Sequence, residues 1–292
     1  MSNLRKVVIP AAGLGTRMLP ATKAIPKEML PIIDKPIIQY VVEECVDAGF
    51  TEIILITHSS KNSIENHFDK SFELETTLEK RIKKSLLGEI KYISKLNSKI
   101  ISIRQGEALG LGHAIYQAKH LLEDEAFGIV LPDRVMNPLN VNLKINNLAS
   151  MRQEFLKTKK SNMLFEKVGI KDVSKFGIAK LNKSLTKKNN KTNLIDIIEK
   201  PSRKKAPSQF AAVGRYVLNP DIFSFIKKID ESKKEIELTD AIRSYIKAGN
   251  EVTAMNLEGD CFDCGNKEGY LRAIFEIASN DTKLKKVFKN LT

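Results

Sequence analysis

The sequence has few of the features that mark secreted or membrane-embedded proteins. Its three cysteines are an odd number in a chain of 292 residues, so the sequence does not predict a disulfide framework. No segment reaches the roughly 18 uninterrupted apolar residues of a membrane-spanning helix. The first residues, MSNLRKVVIPAAG, contain too short an apolar run for a secretory signal. We therefore expect a cytoplasmic protein with no membrane partner.

The charge balance is basic, with 48 lysines and arginines against 35 acidic residues and a formal net charge of +13. The lysines are dispersed and mixed with acids, which does not predict the single basic face of a nucleic-acid-binding protein. Excess positive charge would still attract small polyanions, and nucleotides and sugar phosphates belong to that class.

Residues 7–40 carry the most informative pattern. The apolar residues 7–9 predict a buried strand, and an amphipathic helix is predicted to begin at Ile37. The loop between them holds half of the chain's ten prolines, which exclude a continuous helix or a central strand: Pro10, Pro20, Pro26, Pro31 and Pro36. Long loops of this kind are usually functional. This one also carries glycines and cations, which predict a phosphate-binding loop: Gly13, Gly15, Arg17, Lys23, Lys27 and Lys35.

The glycine spacing by itself does not identify the type of nucleotide site. A dinucleotide fingerprint would need a glycine where Met18 stands, and a P-loop would need a Gly-Lys-Ser/Thr ending that is absent. The loop alone is thus compatible with either a phosphate site or an ordinary surface loop.

Strands predicted at 52–57, 100–105 and 127–131 alternate with helices predicted at 37–49, 60–68, 72–87 and 114–122, which is typical of an α/β fold. The second half has a different texture, with strands at 163–168, 176–179, 194–199, 210–218 and 252–257 and a final helix at 267–279. Within it, the polar run LNKSLTKKNNKTN predicts an exposed hairpin tip. Ligands of open α/β sheets bind beyond the carboxyl ends of the strands, where the proline-rich loop, Gln105 and Asp133 are found.

Several segments, in this order, resemble the bacterial UTP:glucose-1-phosphate uridylyltransferase family of the nucleotide-diphospho-sugar transferase superfamily: GLGTRMLPATKAIPKEMLPIIDKPIIQY, THSSKNSIENHFDKSFELE, RQGEALGLGHA, VLPD, KFGIA, IEKP, AVGRYVL, EIELTDAI and DCGNKEGY. The resemblance covers about residues 5–275. It implies a Rossmann-like three-layer α/β/α sandwich with a mixed, mostly parallel central sheet. It also implies one domain over 1–292, with a nucleotide-binding half at about 1–140, a sugar-phosphate-binding half at about 141–265 and a C-terminal helical segment at 266–292.

The resemblance further implies Mg²⁺-dependent transfer of UMP from UTP to α-D-glucose 1-phosphate by in-line attack on the α-phosphorus. The implied catalytic residues are Arg17, Lys27, Asp133 and Lys200. The implied nucleotide-binding residues are Ala11, Ala12, Gly13, Gly15, Thr16, Arg17, Lys27, Gln105 and Gly110. The implied sugar-phosphate-binding residues are Gly177, Glu199, Lys200 and Gly214, with Arg215 nearby. Asp133 and Asp263 would hold Mg²⁺, whose preferred ligands are carboxylate oxygens, phosphates and water.

Other interpretations of the sequence stay open. A sister sugar-1-phosphate nucleotidylyltransferase with another base or sugar, or a non-catalytic nucleotide-sugar-binding protein, would share much of the pattern. The pair Cys261 and Cys264 has zinc-like spacing but lacks a second pair of ligands, so Asp263 between them is the more attractive metal ligand. Glu28 could approach the base or pair with a loop cation. The family's members imply a homodimer or homotetramer.

Overall fold

The computed structural model describes residues 4–81, 83–97, 99–122, 124–228, 235–281 and 284–285. The first half of the chain alternates strands and helices in this order: β1 (Lys6–Pro10), β2 (Pro31–Ile32), β3 (Lys35–Pro36), α1 (Ile37–Asp47), β4 (Glu52–Thr57), α2 (Asn62–Phe68), α3 (Phe72–Lys80), α4 (Lys84–Asn97), β5 (Ile100–Arg104), α5 (Leu111–Gln117), α6 (Lys119–Leu122), β6 (Phe127–Val130) and β7 (Arg134–Met136). The proline-rich loop contains three 3₁₀ turns at Thr16–Met18, Ala21–Lys23 and Lys27–Met29.

The second half supplies the remaining elements: α7 (Leu148–Thr158), β8 (Ser161–Lys167), β9 (Gly177–Leu181), β10 (Lys191–Glu199), β11 (Phe210–Leu218), α8 (Ile222–Lys227), α9 (Leu238–Lys247), β12 (Val252–Asn256), β13 (Cys261–Asp263) and α10 (Lys267–Asn280). β9 and β10 form the predicted antiparallel hairpin. Of the segment predicted at 266–292, residues 282–283 and 286–292 lie outside the described part of the chain.

Nine strands form one sheet in the order β5-β4-β1-β6-β11-β8-β12-β10-β9. β5, β4, β1 and β6 are mutually parallel, and so are β8 and β12. The other neighbour pairings are antiparallel, because β10 and β11 run against the strands beside them. The predicted α/β architecture and the mixed sheet are therefore confirmed, but only four of the eight neighbour pairings in this order are parallel, so parallel pairing does not predominate among them.

The central strands are buried on both faces. In β1, Val7 and Ile9 pack in a cluster with residues of α1, α2 and α7, whereas Val8 belongs to a second cluster with residues of α5, α8 and α9. This arrangement explains why β1 appears in the sequence as an uninterrupted apolar run, since a parallel strand covered by helices on both sides has no solvent face.

Three local predictions are wrong. The helix predicted over 72–87 is two helices, α3 and α4, and Gly88 lies inside α4 instead of ending it. Glu79 and Lys83 have the i,i+4 spacing that predicts a helical ion pair, but Glu79 instead pairs with Lys91 at 2.8 Å across the two helices. Ser60 and Thr239 are residue types that favour helix N-caps, but α2 begins after Lys61, and Thr239 lies buried inside α9.

In the described ranges, every helix is too short or too polar to span a lipid bilayer.

Candidate active site

The candidate site lies where four parallel strands end. Ala11 follows β1 and donates its backbone N–H to Ile56 in β4 at 2.8 Å. Gln105 follows β5 and donates its backbone N–H to Thr57 at 2.8 Å. Asp133 comes three residues after the end of β6. Because these strands are parallel, the three predicted segments meet at one edge of the sheet.

The proline-rich loop encloses a small cationic pocket. Gly15 adopts a φ of 67°, and its carbonyl accepts a hydrogen bond from the Thr22 hydroxyl at 2.8 Å, which closes the turn that begins at Thr16. A pocket of about 150 Å³ lies against this loop, with Gly13, Lys23, Lys27 and Lys61 among its lining residues. Lysines around a glycine-containing turn are suited to an anion.

Lys27 and Asp133 form an ion pair at the floor of the site, with 2.6 Å between Nζ and Oδ2. Burial opposes the charged form of Asp133, but the charge and hydrogen bond of Lys27, with further help from Arg134 and Arg17, hold its pKa below the ordinary value. Burial likewise opposes the charged form of Lys27, and Asp133 more than compensates, so the pKa of Lys27 is raised. Both groups are therefore charged near neutral pH.

The two predicted metal ligands converge on Gly265. Asp263 ends β13, which pairs with β7 in the register Asp263 to Arg134, and Cys264 donates its backbone N–H to the Asp133 carbonyl at 2.8 Å. A Cβ placed on Gly265 would lie 2.6 Å from Oδ2 of Asp133 and 3.1 Å from Oδ1 of Asp263. Two carboxylates this close to one glycine fit a Mg²⁺ ion, which uses one or two carboxylates together with phosphates and water.

No cluster of three or more histidine, cysteine or acidic side chains suited to a metal ion occurs in the part of the chain that the structure describes. Cys264 is buried, and desolvation raises its pKa above the ordinary value, which disfavours the thiolate that zinc would need. The donor set therefore fits a hard cation held by Asp133 and Asp263 better than a cysteine-bound metal.

Gly265→Ala is expected to lower turnover at least 10-fold, because its methyl group would lie too close to both carboxylates and displace them. The measurement is initial rate against Mg²⁺ concentration, and we expect the apparent Mg²⁺ affinity to fall as well. Gly88→Ala is the matched control. Nothing lies within 4 Å of a Cβ at that exposed helical position, so activity should persist and stability should rise by about 0.5–1 kcal/mol. Wild-type rates and Mg²⁺ affinity in Gly265→Ala would contradict the metal assignment.

Glu28 pairs with a cation from outside its loop. Its Oε2 accepts a hydrogen bond from Lys61 Nζ at 2.8 Å, and both side chains are buried. Desolvation raises the pKa of Glu28 and lowers that of Lys61, so burial weakens the charge of each. The structure thus favours the ion-pair interpretation of Glu28, with a partner that no nearby sequence signal identifies.

The predicted sugar-phosphate residues meet where β9 and β10 pair. Gly177 lies opposite Glu199 in the ladder, and a Cβ on Gly177 would lie 3.2 Å from Oε2 of Glu199 and 3.3 Å from the Thr239 hydroxyl. Lys200 has a φ of 42°, and its Nζ lies 3.0 Å from Glu199 and 3.4 Å from Glu237. Burial would lower the pKa of Lys200, but these two carboxylates raise it.

Gly214 and Arg215 lie beneath the Asp133 loop. Gly214 has a φ of 83°, and a Cβ there would be 2.7 Å from Leu131. Arg215 is fully buried and forms a two-pronged ion pair with Glu44 of α1 at 2.9 and 2.6 Å. Its guanidinium also donates to the backbone carbonyls of Arg134 at 2.6 Å and Leu131 at 3.4 Å. Arg215 therefore holds the loop that carries Asp133. The polar spacing of α1 predicts that Glu44 faces solvent, but Glu44 is buried instead.

A larger pocket, of about 680 Å³, opens beside Asp263. Arg17, Asp263, Arg134 and Phe176 are among the residues that line it. The Arg134 guanidinium lies over the Phe176 ring at 5.8 Å, and the Phe176 carbonyl accepts the backbone N–H of Lys200 at 3.0 Å. Arg134 also forms an ion pair with Glu166.

Gln105 and Gly110, the two residues predicted to meet the base, flank the same edge. Gln105 is buried, and Gly110 precedes α5 with a φ of 95°. A Cβ on Gly110 would lie 2.8 Å from the Ile236 carbonyl, so this glycine is required by close packing.

The family model described as "Nucleotidyl transferase" matches residues 6–280. The chain belongs to the nucleotidyl transferase family. It is 48% identical over 286 residues to the UTP--glucose-1-phosphate uridylyltransferase of Haemophilus influenzae, covering 98% of this chain and 97% of that protein. It is also similar to the UTP-bound UGPase of Acinetobacter baumannii, with a TM-score of 0.90, 41% identity and coverage of 99% and 98%. A UDP-glucose pyrophosphorylase complexed with UDP-glucose has a TM-score of 0.82 and 35% identity, with coverage of 96% and 100%.

Membership of the nucleotidyl transferase family makes this protein an enzyme and confirms the family predicted from the sequence motifs. Sequence inspection missed Glu237, Thr239, Lys61 and Gly265 as neighbours of the site. Their only sequence signal was a position inside recognised motifs, and their relevance depends on contacts between distant segments.

Proposed function

We propose that this protein transfers UMP from UTP to α-D-glucose 1-phosphate and releases pyrophosphate. The observation that supports the proposal most is the convergence of Asp133 and Asp263 on Gly265, with Lys27 and Arg17 beside them. The named activities of its nearly full-length relatives support the choice of substrates.

On the nucleotide side, the backbone of residues 11–16 would hold UTP, with Gln105 and Gly110 beside the base. Arg17 and Lys27 would neutralise the triphosphate and the departing pyrophosphate. Both reactants are anions, so these cations serve chiefly to offset repulsion and to hold the reacting atoms in line.

Asp133 and Asp263 would hold Mg²⁺, which when bound would offset the charge that develops on the phosphates. Because the pKa of Asp133 is held low, its carboxylate is available as a ligand throughout the neutral range. The Asp133 loop owes its position to Arg215 beneath it and to the backbone hydrogen bond from Cys264.

On the sugar side, Gly177 leaves space beside Glu199, whose carboxylate would accept hydrogen bonds from sugar hydroxyls. Lys200 would neutralise the attacking phosphate. Its contacts with Glu199 and Glu237 hold the ammonium at this wall of the site, and its charge persists because its pKa is raised.

The proposed domain organisation, oligomeric state and location in the cell rest on the resemblance to the family. We propose a single domain over 1–292 whose three layers are helices, sheet and helices, with a nucleotide-binding half at about 1–140 and a sugar-phosphate half at about 141–265. We also propose that the protein forms a homodimer or homotetramer and works in the cytoplasm.

Lys200→Ala is expected to raise the KM for glucose 1-phosphate about 10-fold or more while changing the KM for UTP much less, because its charge faces the sugar phosphate. The measurement is initial rate with each substrate varied in turn. Lys160→Ala, which removes an exposed lysine paired with Glu251, is the control and should leave both constants unchanged. Equal effects on the KM values of both substrates would contradict the assignment of Lys200 to the sugar phosphate.

The proposed function is tested by pyrophosphate release from UTP, dTTP, CTP and ATP, each with several sugar 1-phosphates. We expect UTP with glucose 1-phosphate to give the highest kcat/KM. A higher value with another base or sugar would identify a sister nucleotidylyltransferase, and an absence of release from every pair would point to a nucleotide-sugar-binding protein without catalysis.

A further inference from the structure

A short chain of polar side chains extends from the base side of the site into α5. Gln105 is only 4% exposed, and its amide nitrogen lies 2.8 Å from Nδ1 of His113. The other ring nitrogen of His113, Nε2, lies 2.9 Å from the amide nitrogen of Gln117. The three residues thus form a connected row in which the imidazole lies between two amides.

The chemistry of the imidazole restricts how this row can be hydrogen-bonded. A neutral ring has one N–H and one lone pair, so it can accept a hydrogen bond from only one of the two amides. If Nδ1 accepts from Gln105, Nε2 must carry the proton, and Gln117 must turn its oxygen towards it. Gln117 is half-buried at the last turn of α5 and can rotate its amide more easily than Gln105 can.

The backbone around Gln105 leaves its amide little freedom of position. Gln105 is tied to β4 through its N–H bond to Thr57. The start of α5 is fixed by two backbone hydrogen bonds, from Gly112 to Ile236 at 2.7 Å and from Ile236 to Leu109 at 2.8 Å. The Gln105 side chain is itself buried and in contact with His113, so a reversal of its amide, which exchanges donor for acceptor, is the motion that matters for the base.

We infer that His113 is a positioning residue that fixes the orientation of the Gln105 amide and thereby selects uracil over cytosine. This inference rests on the proposed function, because it takes Gln105 as the group that meets the base. With Nε2 of Gln105 donating to His113, its second N–H and its Oε1 match the O4 acceptor and N3–H donor of uracil. Cytosine presents an acceptor at N3 and a donor at N4, so it needs the reversed amide. That reversal would place Oε1 against Nδ1 and would require the ring proton to move to Nδ1 and the Gln117 amide to turn its nitrogen to Nε2 at the same time.

The test uses the full-length protein with three substitutions. His113→Leu removes the acceptor and frees the amide. His113→Asp keeps an acceptor oxygen at the position of Nδ1 that cannot donate, so it should retain the orientation. His120→Leu makes the same change as the first variant at an exposed histidine of α6 and serves as the control. Kd values for UTP and CTP are measured by calorimetry, and kcat/KM with glucose 1-phosphate is measured for both nucleotides.

We expect His113→Leu to lower the ratio of UTP to CTP specificity about 10-fold or more, chiefly through better use of CTP, since a base read by paired hydrogen bonds is discriminated by about that factor. His113→Asp should lower both specificities while preserving their ratio, and His120→Leu should match the wild type. A ratio unchanged in His113→Leu, with both nucleotides weakened alike, would overturn the role of His113 and leave the proposed function standing. A wild-type protein that binds CTP as well as UTP would overturn the assignment of Gln105 and the uridylyl function together.

Discussion

Asp133→Asn is expected to lower turnover about 100- to 1000-fold, which is the effect of removing one electrostatic group that acts on the transition state. Asparagine has nearly the same shape as aspartate but lacks the charge that Mg²⁺ and Lys27 require. Its amide oxygen can still accept the hydrogen bond from Lys27, so we expect the fold to persist with a loss of about 1–3 kcal/mol in the free energy of unfolding.

The measurements are kcat at saturating substrates and Mg²⁺, together with thermal unfolding. Glu79→Gln is the matched control, because it makes the same chemical change in a lysine ion pair of 2.8 Å that lies on the exposed surface of α3. It should alter neither quantity appreciably. Full turnover in Asp133→Asn at ordinary Mg²⁺ concentrations would remove Asp133 from the proposed metal site.

Stability as a function of pH provides a second measurement on the same variant. The folded pKa of Asp133 lies below its ordinary value, so its ion pair contributes stability above the unfolded pKa. That contribution is lost as the pH falls through the lower, folded pKa. Unfolding curves at a series of acidic pH values should therefore show a smaller decline for Asp133→Asn than for the wild type.

Arg215→Met is expected to lower the free energy of unfolding by about 3–5 kcal/mol, the usual cost of leaving one charge of a buried pair without its partner. Arg215 is fully buried and Glu44 nearly so, and their two contacts join β11 to α1. Burial alone would lower the pKa of Arg215, but the charge of Glu44 raises it, so the guanidinium stays charged within the core.

A double variant separates the stabilising role of Arg215 from its role in the site. Glu44→Leu combined with Arg215→Met leaves no buried charge unpaired, so we expect it to recover most of the lost stability. Turnover should remain about 10-fold or more below the wild type, because the carbonyls of Leu131 and Arg134 on either side of Asp133 still lack their donor.

The measurements are chemical denaturation and steady-state kinetics of the wild type, the two single variants and the double variant, which together form a double-mutant cycle. Lys160→Met, which breaks an exposed pair with Glu251, is the control and should cost less than about 1 kcal/mol. Wild-type turnover in the double variant would show that Arg215 does not position the Asp133 loop.

The sequence predicted the elements whose pattern is local. The apolar run of β1, the spacing of α1 and the polar tip between β9 and β10 each depend on a few neighbouring residues, and the structure confirms them. Gly88 shows the limit of a local rule, because one glycine in an exposed helical position costs only about 1 kcal/mol and does not have to end a helix.

Contacts between distant segments could not be predicted in this way. Glu44 follows the polar spacing of α1, yet it is buried because it pairs with Arg215. That partner lies 171 positions further along the chain, so no local pattern reveals it. Strands β7 and β13 are three residues each and exist mainly because they pair with one another. That pairing also brings Gly265 between the two carboxylates, a role that a glycine in a short motif does not reveal.

The ion pair of Lys27 and Asp133 allows the site to fold before any metal ion binds. In many small metalloproteins the ion's binding energy is the folding energy, so a chelator unfolds them. Here the carboxylate already has a protein cation 2.6 Å away, and the core beneath it is closed by Arg215 and Glu44. We therefore expect the polypeptide to fold without a divalent cation, so that a chelator would lower the turnover of the protein and leave it folded.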